Sequence, residues 1–239
     1  MKIALIGYGK MGKAIEEIAI KRGHDIVCRI DSANTGDFDG NGFLNADVAI
    51  EFTTPSSAFG NYVKCFDRGV PVVSGTTGWL EQKEELRELC TKKDAAFFYS
   101  SNFSIGVNIF FALNKYLAKI MDRFDEYDVS VKEIHHIHKL DHPSGTAVTI
   151  AEGIVDNISR KTGWAENTAD PDMVNVEYER VGEVPGTHVV NYVSDVDSIR
   201  IEHEAFSRRG FALGAVVAAE WLVGKKGWFT MSDMLDFDI

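Results

Sequence analysis

Apolar and polar positions follow two alternating rhythms in the first part of the chain. KIALI (2–6) is a continuous apolar run, the pattern of a strand buried on both faces. The next stretch repeats at helical spacing to about Arg22, where Gly23 stops it. DIVCRID (25–31), DVAIEFT (47–53), VPVVSG (70–75) and AAFFYS (95–100) read as further strands. Between them lie a helix opened by Pro55 and running to about Arg68, and the highly charged helix LEQKEELRELCTKK (80–93). The stretch 32–46, rich in Gly, Asn and Asp, reads as loop. Strand and helix in turn predict an α/β, doubly wound parallel sheet.

The rhythm changes near residue 104. VNIFFALNKYLAKIMDRF (107–124) predicts a long amphipathic helix, and EYDVSVKEIHH (126–136) alternates as a half-buried strand. A turn at 141–145 leads into helix TAVTIAEGIVDNIS. MVNVEYERVG, THVVNYVS and DSIRIEHEAF then predict strands that pair antiparallel. The Ala- and Gly-rich helix GFALGAVVAAEWLV closes the chain and is expected to return to the first domain. The expectation is a dinucleotide-type domain over 1–104 completed by 211–239. A second α+β domain over 105–210 would carry a mixed, mainly antiparallel sheet.

Of the 239 residues, 45% are hydrophobic and 26% charged, enough for ordinary cores. A formal charge of −11 repels phosphate polymers and argues against nucleic acid as a partner. Cys28, Cys65 and Cys90 are scattered, with no C-x-x-C, as expected of reduced thiols. No signal-peptide pattern opens the chain and no long apolar run follows, so a cytoplasmic protein without a membrane span is expected.

Gly7-Tyr8-Gly9-Lys10-Met11-Gly12 matches G-x-G-x-x-G between a predicted strand and a predicted helix. In such a Rossmann-type loop Gly7 makes the tight turn and Gly9 admits a pyrophosphate. Gly12 lets helix and strand approach, and the helix N-terminus faces the phosphates. Asp31, about 20 residues on, ends the second strand, where a carboxylate can accept from ribose hydroxyls. EFTTP (51–55) and SGTTG (74–78) end the third and fourth strands at the same edge. This places Phe52, Thr53, Gly75, Thr76 and Thr77 near the nicotinamide half of a dinucleotide.

EIHHIHKLDHPSGTA (133–147) concentrates protonatable groups beside a turn. A metal site is one reading, but His135 and His136 point to opposite faces of a strand, and neither H-E-x-x-H nor a cysteine cluster accompanies them. No metal is therefore expected. Solvated histidines at a strand end are a second reading. The third is an acid/base and anion site. There His135 and Lys139 handle protons or charge, and Ser144-Gly145-Thr146 opens a helix whose N–H groups cradle a carboxylate.

These residues, with GYGKMG, EFTTP, SGTTG, SSNFSIGVN and SRRGFALGAVVAAEWL in order along nearly the whole chain, resemble the dihydrodipicolinate (4-hydroxy-tetrahydrodipicolinate) reductase family. The resemblance implies reduction of dihydrodipicolinate to tetrahydrodipicolinate with NADH or NADPH, in the diaminopimelate route to lysine. It implies proton-transfer roles for His135 and Lys139, and substrate contacts from His136, Gly145, Thr146 and Thr77. Gly75-Thr76-Thr77 and Ser100-Ser101-Asn102-Phe103 become nucleotide-contacting segments. A homotetramer built through the second domain's sheet is also implied.

Several positions depart from the family pattern. Ser32 follows Asp31 where an Arg is frequent, and Thr54 stands where some relatives carry Arg. Both remove cations near the adenosine, so NADH is expected to be preferred and NADPH still accepted. His142 replaces a usual Ala, and the chain is short for the family. An aspartate-dehydrogenase-like reductase of an imine is one alternative, although it should lack the 133–147 stretch. A catalytically inactive dinucleotide sensor is another.

Overall fold

The computed structural model describes residues 1–207 and 209–237. Arg208 of the S-R-R-G-F motif and the last two positions of the 211–239 segment lie outside the described residues. The chain forms two compact units. The first comprises Met1–Ile105 and the segment that resumes at Arg209; the second starts at Gly106 and ends where the first resumes.

The first unit runs β1 (Lys2–Ile6), α1 (Lys10–Lys21), β2 (Asp25–Ile30), α2 (Asn41–Leu44), β3 (Val48–Glu51), α3 (Pro55–Asp67), β4 (Val72–Ser74), α4 (Lys83–Lys92) and β5 (Ala96–Tyr99). Its strands form one parallel sheet in the order β11-β5-β4-β3-β1-β2, where β11 is Gly227–Phe229. Two apolar layers bury both faces, which is why Ile3–Ile6 and Val48–Ile50 read as continuous hydrophobic runs. Ile15, Ile18 and Ala19 of α1 share one layer with Ala212, Ala215, Val216 and Ala219 of the C-terminal helix. Ala58, Tyr62 and Phe66 of α3 lie in the other with Trp79 and Phe97.

The second unit contains α5 (Ile105–Met121, its first residue in the first unit), β6 (Asp128–His135), α6 (Gly145–Val155), β7 (Gly163–Glu166), β8 (Met173–Arg180), β9 (Thr187–Val193) and β10 (Ser198–Glu204). The sheet order is β10-β9-β6-β8-β7. Its antiparallel ladders pair seven residues each, and its parallel ladders six and four. The sheet is therefore mixed with antiparallel pairs in the majority. Phe110, Ala118 and Met121 of α5 and Ala147, Ile150, Ala151 and Ile154 of α6 bury one face with Val131, Val176 and Val190. The chain ends in α7 (Arg209–Leu222), β11 and α8 (Met231–Leu235).

Four expectations are corrected. β8 does not join an antiparallel set with β9 and β10; it lies parallel to β6, because α6 carries the chain back across the sheet between them. The segment 32–46 is not all loop: a 3₁₀ turn at Thr35–Asp39 and helix α2 bury Phe38 and Phe43 edge to face, 4.9 Å apart. β7 and β11 were not anticipated, since runs of four and three half-buried residues carry no readable alternation. Helix α6 ends at Val155, earlier than its apolar pattern suggested. No helix among the described residues is long and apolar enough to cross a membrane.

Candidate active site

The glycine loop is shaped by close backbone packing. Gly7 has φ +91°, and a Cβ there would stand 1.9 Å from the Phe52 carbonyl oxygen. A Cβ on Gly12 would meet the Gly7 oxygen at 2.2 Å. At Gly9, the N-cap of α1, a Cβ would meet nothing within 4 Å, and no side chain caps the helix. The loop thus leaves open space before a helix N-terminus with unsatisfied N–H groups, which fits a pyrophosphate. A cavity of about 330 Å³ runs from Gly9, Lys10, Met11 and Gly12 to Thr53, Gly75 and Thr77. A second, of about 320 Å³, lies between Gly7, Asp31, Ser32, Thr53 and Asn61. Thr53 lines both, so the two cavities lie along the carboxyl edge of one sheet.

Asp31 closes a rigid turn at the second cavity. Its Oδ1 accepts from the Ala33 N–H at 2.8 Å, and its own N–H donates to Asn34 at 2.7 Å. The nearby Arg29 is engaged elsewhere: its guanidinium grips both oxygens of Glu16, which also accepts from the Tyr8 hydroxyl. Tyr8 therefore faces a carboxylate and a guanidinium through its side chain. The pairing with Glu16 raises the pKa of Arg29, which keeps its charge committed.

Glu51, the last residue of β3, is fully buried, and its hydrogen-bond donors are hydroxyls. Hydroxyls of Thr53, Ser74 (2.7 Å) and Thr76 (3.0 Å) all donate to it. Thr76 Oγ1 meanwhile accepts from the Thr53 N–H at 2.7 Å, which leaves its single proton for Glu51. Tyr62 lies 2.6 Å from Ser74 and by the same reasoning donates to it. Burial pushes the Glu51 pKa up, and the donated hydroxyls oppose that rise. The network ties the EFTTP and SGTTG loops together. It also occupies the Thr76 side chain, while the Thr76 backbone carbonyl accepts from the Trp79 indole N–H at 2.8 Å; Thr77 is exposed.

Gly75 has room only for its hydrogen, because the Phe52 ring lies 2.1 Å from where a Cβ would stand. Ser100 braces Asn102 by hydrogen bonds at 2.7 and 3.1 Å, with exposed Ser101 between them. The Phe103 side chain is in the core against Phe52 and Phe98, so that residue offers a cofactor its backbone alone.

In the second unit, β6 carries His135 at its end, buried beside Glu133. Alternation puts both on the inner face and sends the half-buried His136 outward. Glu133 is fully buried and accepts from the Ser144 N–H (3.2 and 3.1 Å) and from Arg180 (3.2 Å). His135 Nδ1 stands 3.4 Å from the carboxylate without an aligned hydrogen bond. Burial is the main force lowering the His135 pKa, helped by Lys139, Arg180 and His136 and opposed by Glu133. His188 on β9 packs edge to face on His135 at 5.1 Å, and burial pushes its pKa down to about 3. Burial thus favours the neutral form of both imidazoles.

The turn ends at Ser144, whose Oγ caps α6 by accepting from Ala147 N–H at 3.1 Å. Gly145, with nothing within 4 Å of a Cβ position, and Thr146 then open the helix. Lys139 Nζ donates to both Asp141 oxygens, at 2.9 and 2.7 Å, and this lowers the Asp141 pKa. His138 and His142 form exposed pairs with Glu183 and Glu166, and His142 stacks on Tyr178 at 4.3 Å.

One oxygen or nitrogen each of Glu133, His135 and His188 falls within 4.8 Å of the others, a spacing a metal ion could use. Arg180 pairs with the carboxylate and the Ser144 N–H donates to it, so an ion bound there would face the guanidinium directly. The sequence pattern does not single out Glu133, His188, Arg180 or Glu51 as site residues. Glu133 was within reach, since period-two alternation places it on the face of His135. The others become neighbours only through strand register.

A parallel sheet with an open glycine loop at its carboxyl edge, and a buried imidazole and a lysine leading to the Ser144-capped start of α6, define an oxidoreductase of the nicotinamide-dinucleotide class. The dihydrodipicolinate reductase N-terminal family model matches residues 1–103, and the C-terminal model residues 106–235. The chain belongs to the dihydrodipicolinate reductase family. It is 52% identical over 235 residues to a 4-hydroxy-tetrahydrodipicolinate reductase of Christiangramia forsetii, covering 98% of each chain. A reductase of the same name from Archaeoglobus fulgidus is 35% identical over 263 residues, covering 99% of this chain and 100% of the relative. The shortness is thus shared with the first of these relatives. The solved structure of a dipicolinate-bound dihydrodipicolinate reductase from Paenisporosarcina sp. TG-14 has the same fold, with a TM-score of 0.77 at 22% identity, covering 98% of this chain and 99% of that one.

Proposed function

We propose that the chain reduces dihydrodipicolinate, formed from 4-hydroxy-tetrahydrodipicolinate, to tetrahydrodipicolinate on the diaminopimelate route to lysine. NADH is the preferred reductant and NADPH is accepted. The observation that carries the substrate assignment is the turn at 139–146: a lysine beside a capped helix start with open space at Gly145. That arrangement suits a ring bearing carboxylates.

When bound, the reduced nicotinamide supplies a hydride to the substrate ring. Gly9, Lys10 and the first turn of α1 hold the phosphates, while Asp31 accepts from the ribose. The Thr53, Thr77, Ser100–Asn102 edge orients the rest of the cofactor. In the second unit the Gly145 and Thr146 N–H groups and His136 take a substrate carboxylate. Lys139 exchanges Asp141 for the substrate and gives its proton to the charge that develops on the ring nitrogen. His135, kept neutral by burial and surrounding cations, orients the ring instead of acting as the acid at neutral pH. No step requires a metal.

We also assign a homotetramer built on the second unit's sheet and place it in the cytoplasm. In support, α5 and α6 cover one face of that sheet, and β10 lies exposed at its edge. Light scattering should give about four times 26.5 kDa. The decisive test of function is steady-state oxidation of NADH with freshly generated dihydrodipicolinate. Turnover that depends on that substrate is expected, and its absence would overturn the reading.

A further inference from the structure

Arg180 ends β8 with its side chain only 16% exposed, and every nitrogen of its guanidinium is used. Nε donates to the Lys139 carbonyl at 3.2 Å and Nη1 to the Glu179 carbonyl at 2.9 Å. Nη2 donates to the Asp141 carbonyl at 2.7 Å and to Glu133 Oε1 at 3.2 Å. The carbonyls on either side of Leu140 thus converge on one cation that is anchored to a buried carboxylate. Glu133 in turn holds the Ser144 N–H at the start of α6. The guanidinium also lies 5.1 Å from the Tyr178 ring centroid, and the other side of that aromatic pair is His142.

The surroundings explain why this cluster is more than packing. The loop at 137–141 has little else to fix it: Ile137, His138 and Leu140 are exposed, Leu140 to 91%. Its backbone donors reach Gly182 (from Ile137, 3.1 Å) and His136 (from Lys139, 3.1 Å), but the Lys139 and Asp141 carbonyls depend on Arg180. Those two residues are also the members of the Lys139–Asp141 ion pair. Whatever aims the Lys139 ammonium must first hold this backbone.

We propose that Arg180 is a positioning residue for the reaction: anchored on Glu133, it clamps the Lys139 and Asp141 carbonyls and so sets where Lys139 presents its ammonium to the substrate. The inference rests on the functional reading above. Lysine is not an adequate replacement. It restores a charge for Glu133 but has no planar fork to span two carbonyls and a carboxylate at once.

The test is a double-mutant cycle between Arg180→Lys and Lys139→Ala, with NADH and dihydrodipicolinate in the full-length enzyme. Arg180→Lys should melt within a few degrees of wild type, bind NADH normally and lose roughly 10–100-fold in kcat. The double variant should be no slower than Lys139→Ala alone, because the clamp acts through that lysine. Arg180→Ala supplies a second readout: added guanidinium should restore kcat saturably, where sodium chloride at equal ionic strength does not. Wild-type kcat in Arg180→Lys, additive losses in the cycle, or no rescue of a folded Arg180→Ala would overturn the inference. So would failure of both variants to fold, which would assign Arg180 to stability alone. Wild-type turnover is measured first; its absence would strike the functional reading, whereas a fast Arg180→Lys enzyme strikes only the clamp.

Discussion

The choice between NADH and NADPH depends on a single extra phosphate, and the structure allows its cost to be worked out. The cavity at the end of β2 is lined by Gly7, Asp31, Ser32, Thr53 and Asn61, with no lysine or arginine among its lining residues. Arg29, the neighbouring cation in sequence, has both faces of its fork on Glu16. A ribose 2′-phosphate brings a charge of about −1.5 to −2 at pH 7. At about 5 Å from the Asp31 carboxylate, with an effective dielectric close to that of water, roughly 65–80, the repulsion is about 1–2 kcal/mol. That corresponds to roughly 5–30-fold in kcat/KM in favour of NADH. Lys10, exposed in the glycine loop, offsets part of this. Asp31→Ala should bring the ratio close to parity, and Asp31→Ala with Ser32→Arg should reverse it. Glu16→Gln, which releases Arg29, should raise kcat/KM for NADPH several-fold with little change for NADH. The assay is initial rate against each cofactor at saturating substrate and fixed ionic strength, since screening acts over about 8 Å in 0.15 M salt. A wild-type enzyme that clearly prefers NADPH, or an Asp31→Ala variant with an unchanged ratio, would refute the electrostatic account and point to Lys10 as the controlling charge.

Lys139→Ala and His135→Ala should each lower kcat on the order of 10²-fold while leaving the NADH dissociation constant nearly unchanged; turnover close to wild type in both would remove them from the mechanism. The buried histidines should make the fold acid-sensitive. Burial lowers the His188 pKa to about 3 and also lowers that of His135, so the unfolded chain binds more protons as pH drops below about 6.5. Stability is then complete above that pH and declines below it by up to about 1.4 kcal/mol per pH unit per histidine. Urea unfolding at pH 7 and 5 should show a smaller difference in His188→Asn than in wild type, and equal differences would exclude His188 as the cause. Two glycines should separate fold from binding. Gly214→Ala forces a Cβ to 1.7 Å from the Phe103 carbonyl oxygen and should destabilise by about 2–4 kcal/mol in thermal melts. Gly9→Ala, with empty space around it, should melt normally and weaken NADH, and intact NADH affinity would show that the loop does not carry the phosphates.

Much of the first unit was legible along the chain because its signals are local. Ile3–Ile6 of β1 and Val48–Ile50 of β3 are apolar since helices cover both faces of the sheet, and Gly7 and Gly12 mark a turn whose close packing only glycine tolerates. The 133–147 motif likewise placed an imidazole, a lysine and a helix start within a few residues of one another. Short edge strands such as β7 and β11 were invisible, for a strand of three or four residues takes its conformation from its neighbour's hydrogen bonds and not from its own pattern. The direction of β8 depended on the path of α6 across the sheet, which no periodicity encodes. What braces the loop at 137–141 lay beyond local reading altogether. His188 and Arg180 meet Glu133 only because β9 and β8 flank β6 in one register, Glu133 opposite His188 and Tyr178, and His135 opposite Arg180. The pKa of His135 follows the same logic: it is lowered by burial and by the charges of four other chain positions taken together, Glu133 alone raising it, quantities that exist only once the sheet has closed around it.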